Sequence, residues 1–171
     1  MKFDDIKGES TRSIDKSPPI LMNRVRAESI EVSVEGGPLS VAMEQIRGGD
    51  LSFQTTGQLT LQAEGVRATS LHAYAEDPLR TGSRVALHDV LLSAELSLLL
   101  GDGDDEVALQ AVRVHGATNI EVNGGDDLLR ISRSRFGPST SLDGGPGTDV
   151  LQIVDSVFAD EPDLIGWEER I

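Results

Sequence analysis

The chain is expected to fold as an all-β, single-domain parallel β-solenoid, a right-handed β-helix of about seven coils. Three observations lead there. Apolar residues recur at a fixed interval of 22 positions through the C-terminal half. Within each copy they alternate with polar residues, the period of a strand and not of a helix. One turn per copy concentrates glycine and aspartate, as in GDGDDEV, residues 101–107. A unit of this length holds two or three short strands and cannot bury its own apolar face. Stacking such units in parallel buries continuous aliphatic rows, and right-handed winding follows the usual hand of parallel crossovers. An antiparallel sandwich is the competing fold, but it gives no reason for equivalent rows at one interval.

Residues 1–17, rich in charge and serine and ending at Pro18-Pro19, stand outside the pattern and are read as an N-terminal tail or cap. The β-helix covers 18–171, in coils of 20–26 residues. Its first coils repeat more loosely. Val25-Arg-Ala27, Ile46-Arg-Gly48 and Val66-Arg-Ala68 match one another; Ile30-Glu-Val32, Leu51-Ser-Phe53 and Leu71-His-Ala73 form the next rung. Leu39-Ser-Val41, Leu59-Thr-Leu61 and Val85-Ala-Leu87 align as a third set, with an insertion, AEDPLRTGS, at 75–83.

Strict rows follow. Val85, Val107, Leu129 and Leu151 form one, and Leu87, Leu109, Ile131 and Ile153 the next. Leu92, Val114, Phe136 and Phe158 form a third; Leu98, Ile120, Leu142 and Leu164 form a fourth. Acidic turns occupy 101–149, and 150–171 is the closing coil or cap, with Trp167 as a candidate plug. Ala27, Gly48, Ala68, Ala94 and Gly116, with Pro138 after them, mark one tight corner.

Composition fits this shape. Of 171 residues 38% are hydrophobic but only 4% aromatic, which suits a core of stacked aliphatic rows better than one built on large rings. A formal net charge of −14 disfavours nucleic acid and anionic membranes and favours cations or basic partners. There is no cysteine, so disulfides, thiolate zinc sites and thiol nucleophiles are excluded. No apolar stretch is long enough to span a bilayer, so membrane insertion is not expected. The opening MKFDDIKGES lacks the apolar core of a secretory signal.

The aspartates need a reason of their own, since glycine alone makes the turn. Equivalent turns of stacked coils lie about 4.8 Å apart. Asp105, Asp127 and Asp149 therefore form one column, with Asp104 and Asp126 in a second. Two carboxylates ~4 Å apart repel by roughly 1 kcal/mol in water and ~4 kcal/mol at an effective dielectric of 20. A hard cation offsets that repulsion, because Ca²⁺ accepts carboxylate and carbonyl oxygens together. The alternative is a metal-free ladder in which aspartates cap backbone amides.

GGPGTDVLQ, residues 144–152, fits G-G-x-G-x-D-x-U-x at every position, U being a large apolar residue. LGDGDDEVA at 100–108 departs only at its first position. VNGGDDLLR at 122–130 keeps Gly125, Asp127 and Leu129, with Asn123 in place of glycine. These stretches resemble the haemolysin-type, or repeats-in-toxin, calcium-binding nonapeptide. The resemblance implies Ca²⁺ bound between coils, with Asp104, Asp105, Asp126, Asp127 and Asp149 as the acidic set and carbonyls of Gly101, Asn123 and Gly145 as backbone ligands. Family rolls place two nonapeptides in an 18-residue coil. The 22-residue coil with one acidic turn is more similar to β-helices carrying a single Gly-Asp column, implying about two intercoil sites. The closing LIGWE, residues 164–168, resembles the G-F-E element that often follows such repeats.

Arg26, Arg47 and Arg67 occupy equivalent positions, with Ser93 and His115 continuing the row. Pairing with Glu44 and Glu64 is the expected role; a ladder for an anionic polysaccharide is the alternative. His72, His88 and His115 fall in different rows, and no nucleophile elbow, phosphate loop or H-x-x-x-H spacing is present. Outward Thr-x-Thr rows, as ice binding would need, are missing. The expected function is accordingly non-catalytic: a calcium-binding β-helix module, a spacer or adhesive segment of an exported bacterial protein, extracellular or at the cell surface. A self-assembling filament or scaffold, stacking end to end and compatible with the cytoplasm, is the alternative. A polysaccharide-binding or polysaccharide-degrading β-helix is the minor one.

Overall fold

Runs in which every second residue is aliphatic form strands that bury one face, as where Leu39, Val41 and Met43 turn inward from Leu39–Glu44. The computed structural model describes residues 19–171 and the strands Lys2–Asp4 and Ser10–Ser13. It is a parallel β-solenoid of about seven turns, with no helix among the described residues. A nine-stranded sheet stacks Lys2–Asp4, Ile20–Asn23, Leu39–Glu44, Leu59–Glu64, Arg84–His88, Glu106–Gln110, Leu128–Ser132, Val150–Val154 and Glu169–Arg170. Every pairing in it is parallel.

The second sheet has 11 strands. It opens with Ser10–Ser13, then the long strands Arg26–Val34, Arg47–Thr55, Arg67–Ala75 and Leu91–Leu99. After Leu99 it divides. Arg113–Val114, Arg135–Phe136 and Val157–Phe158 form one ladder; Thr118–Glu121, Thr140–Asp143 and Asp163–Ile165 form the other. Gly116 and Gly137 sit at the division, where a Cβ on either would collide with the carbonyl of Ala94 or His115 in the coil before. Close packing at these two corners therefore requires glycine.

The strict rows stack as read. Leu92 pairs Val114, Val114 pairs Phe136 and Phe136 pairs Phe158, with the two rings stacked at 5.2 Å. The row Leu98, Ile120, Leu142 and Leu164 is likewise in register. Of residues 1–17, the strands Lys2–Asp4 and Ser10–Ser13 add a rung to each sheet; the tail-or-cap reading of the others lies outside the described residues.

Three alignments differ from the sequence reading. Val85 pairs Leu61, and Leu87 pairs Ala63, so Leu59 is not opposite Val85. The cause is the insertion: it returns with Ser83 beside Leu59, and Ser83 Oγ accepts the Leu59 amide at 3.1 Å. The arginine row runs from Arg67 to Leu91, then Arg113 and Arg135, and omits Ser93 and His115. A bulge between Leu92 and Glu95 adds one residue there. The same bulge takes Ala94 out of line with Ala68, opposite which Leu92 stands, while Ala94 still packs against Gly116.

The corner after the nine-stranded sheet is made by one left-handed residue per coil: Arg24, Gln45, Gly65, Asp89, Ala111, Arg133 and Asp155, all with φ between 49° and 65°. Each of the first six donates its amide to the next coil's preceding residue, as Ala111 N–H does to Ser132 O at 3.0 Å. At the C-terminal end Trp167 is buried, its Nε1–H donating to Leu142 O at 2.9 Å.

Candidate functional site

The acidic turns lie between the last strand of one coil and the first strand of the next, at the start of the nine-stranded sheet. Asn123 and Gly145 open their turns with φ of +55° and +81°, a conformation that glycine and asparagine tolerate best. A Cβ on Gly145 would strike the Asn123 carbonyl, so close stacking also requires glycine there. Gly103 N–H donates to Gly124 O at 2.5 Å and Gly125 N–H to Pro146 O at 3.2 Å, tying successive turns along the axis.

Asp105, Asp127 and Asp149 form a buried column, only 2%, 1% and 0% exposed. Each Oδ1 accepts a backbone amide from the preceding coil: Ser83 N–H at 2.5 Å, Asp105 N–H at 2.7 Å and Asp127 N–H at 2.9 Å. Glu168 ends the series, its Oε2 accepting the Asp149 amide at 2.8 Å. Each Oδ2 in the column is buried with no hydrogen-bond partner. Asp104 and Asp126 form the exposed outer column and work in the opposite sense. Asp104 Oδ1 accepts Asp126 N–H, and Asp126 Oδ1 accepts Thr148 N–H, both at 3.0 Å.

The Asp-Asp pair thus has a backbone role. Neighbouring amides of the turn point to opposite coils, and each meets an aspartate from the coil it faces. This is the amide-capping ladder, built twice. It accounts for one oxygen of each carboxylate and leaves the inner Oδ2 atoms without partners.

Burial is the main electrostatic effect on the inner column. It pushes the Asp105 carboxyl up to about 8, against the lowering effect of the Ser83 amide, with Asp127 adding repulsion. Burial pushes Asp127 up to about 7, the Asp105 amide opposing and Asp149 adding repulsion. Asp149 is raised for the same leading reason, with Glu168 the first of its repelling neighbours.

The backbone oxygens assigned above as ligands remain available. Among the described residues the carbonyls of Gly101, Asn123 and Gly145 accept no hydrogen bond. The same residues form no converged cluster of three or more acidic or histidine side chains. Any cation here would therefore combine column carboxylates with main-chain oxygen, the donor mixture that calcium accepts.

Several contributors were not singled out in the sequence. Ser83 heads the inner column, 22 positions before Asp105, a signal present but hidden by the insertion. Glu168 lies 19 positions after Asp149, off the period, because the closing coil is shorter. Asp102 pairs with Arg80 at 2.9 Å, and Asp143 Oδ1 accepts Gly145 N–H at 2.9 Å. Asp77, also buried, closes the insertion by accepting Thr81 N–H and Oγ1–H.

The arginine row is in register, Arg26 opposite Arg47 and Arg47 opposite Arg67. The expected pairing with Glu44 and Glu64 is not made. Arg67 binds Asp89, with Nη2 at 3.0 and 3.1 Å from its carboxylate oxygens, and Glu64 lies 3.7 Å from His88 Nδ1. The cause is the corner: Asp89 sits on it, one coil above, where the Arg67 fork also reaches the Asp89 carbonyl at 2.7 Å. The chain matches no known family model, no curated protein and no solved structure.

Proposed function

We propose that the chain is a non-catalytic structural module whose acidic turns take up calcium, serving as a spacer or adhesive segment of an exported bacterial protein. The observation that carries this reading is the line of unpartnered Oδ2 atoms on Asp105, Asp127 and Asp149. A buried carboxylate oxygen without a partner is costly, and a cation shared between coils removes that cost together with the repulsion along the column. Asp105, Asp127 and Asp149 would supply carboxylate oxygen, and Gly101, Asn123 and Gly145 carbonyls. Bound calcium would neutralise charge and cross-link coils; no reaction is implied. Asp104 and Asp126, at the surface, add negative potential that draws cations to the turn.

A second reading is end-to-end assembly, favoured by the C-terminal coil. Val157–Phe158 and Asp163–Ile165 have no strand on their outer edge among the described residues. Val154, Val157, Ile165 and Ile171 are exposed at that end. Open edges of this kind invite further strands. One titration separates the readings. Adding Ca²⁺ to millimolar concentration while following thermal unfolding and particle size should stabilise a species of constant size. Growth into filaments without added stability would favour assembly instead.

A further inference from the structure

Among the described residues, the corner after the nine-stranded sheet carries most of the arginine charge that has no carboxylate partner. Arg24, Arg26, Arg47, Arg113, Arg133 and Arg135 are exposed there, and none has a carboxylate partner among the described residues. Described arginines away from this corner, Arg170 excepted, behave differently. Arg80 pairs with Asp102 at 2.9 Å, and Arg84 and Arg130 share Glu106 at 3.5 and 2.8 Å. In a chain of net charge −14, partners are plentiful, so six guanidinium groups gathered along one edge without a carboxylate point to something outside the chain.

The N-terminal part of this edge is a groove of about 760 Å³. Arg26, Arg47 and Arg67 form one wall at the coil pitch of about 4.8 Å. Glu44 and Glu64 are in register with each other on the other wall, and Gln45 lies at the corner between them. A guanidinium fork matches carboxylate or sulfate oxygens. Carboxylates and an amide across the groove accept from hydroxyl groups. A ligand that satisfies both walls carries anionic groups and hydroxyls repeated along its length.

We propose that this edge binds a linear acidic polysaccharide laid along the solenoid axis, a site independent of the calcium reading. Nucleic acid fits less well: the groove has no phenylalanine, tyrosine or tryptophan for bases to stack on, His88 being its one ring.

The test is binding of polygalacturonate and dextran sulfate in the presence of a chelator, so that metal cannot bridge polymer to the acidic turns. Neutral dextran is the control. The two anionic polymers distinguish carboxylate from sulfate as the preferred group. At least one should bind, and replacing Arg24, Arg26 and Arg47 together by glutamine should weaken it about tenfold or more. Lysine at the same three positions keeps the charge and loses the fork, and should give an intermediate loss. Replacing Arg80, Arg84 and Arg130 by glutamine removes equal charge elsewhere and should change affinity less than about threefold. The proposal is overturned if neither polymer binds, if both glutamine variants weaken binding equally, or if single-stranded RNA binds more tightly than either polysaccharide.

Discussion

Asp105, Asp127 and Asp149 keep their carboxyl groups in an interior built mainly of aliphatic side chains, so a proton is held more tightly in the folded chain than in the unfolded one. A raised folded-state value gives stability that is fully present below the ordinary carboxylate range near pH 4. That stability is lost as pH rises through about 7 for Asp127 and about 8 for Asp105. Without calcium, the melting temperature should therefore fall between pH 5 and pH 9, roughly the window those values span. Asp105→Asn keeps an oxygen for the Ser83 amide and carries no charge. It should flatten that pH profile; an unchanged slope would show that Asp105 is not the titrating group. The column was legible in the sequence because its members are 22 apart. The opposed amide bonds of the two columns were not, since direction along the axis leaves no trace in spacing.

Each coil turns its corner on a single left-handed residue followed by an inward one, and the inward row changes character along the chain. Val25, Ile46, Val66, Val90 and Val112 are buried aliphatics, whereas Ser134 and Ser156 continue the row with hydroxyls. Ser134 Oγ accepts the Val112 amide at 3.1 Å and donates to Ser132 O at 2.8 Å. Ser134→Ala leaves that amide unpaired in the interior and should cost about 1–3 kcal/mol in urea unfolding. Ser156 repeats the pattern on the exposed closing coil, so Ser156→Ala should cost less. At the corner itself Ala111 sits at φ 54°, which costs a residue with a Cβ roughly 1–2 kcal/mol. Ala111→Gly relieves that strain and loses about 0.5–1 kcal/mol to chain entropy. A net gain of up to about 1.5 kcal/mol is expected, and a loss would show the corner to be unstrained. Strand rows were readable wherever period and alternation agreed. The register across 75–83 was not, because an insertion hides how many residues return to the ladder, and Ser83 stands beside Leu59 where Val85 is expected.

Over the whole solenoid, apolar rows supply the stack, Trp167 closes one end, and charge divides between two edges of the nine-stranded sheet. Trp167→Ala removes a buried ring and the bond to Leu142 O, and should cost about 3–5 kcal/mol. Its exposed core should also raise the tendency to stack end to end, visible as a larger particle in light scattering. The acidic edge was found in the sequence through a motif. The basic edge was not found beyond Arg67, because Leu91 interrupts the row and Arg24 and Arg133 belong to the corner row beside it. Calcium at the acidic edge is the central claim, and the melting temperature with and without millimolar Ca²⁺ tests it most directly. Asp127 is the middle member of the inner column, bonded to its neighbours on both sides. Wild type should gain stability, about 2.7 kcal/mol when calcium reaches 100 times its Kd. Asp127→Asn should lose most of that gain, and Asp149→Asn less of it. A wild-type melting temperature that calcium leaves unchanged, with Asp127→Asn melting higher than wild type, would contradict the account and leave the aspartates as a metal-free ladder.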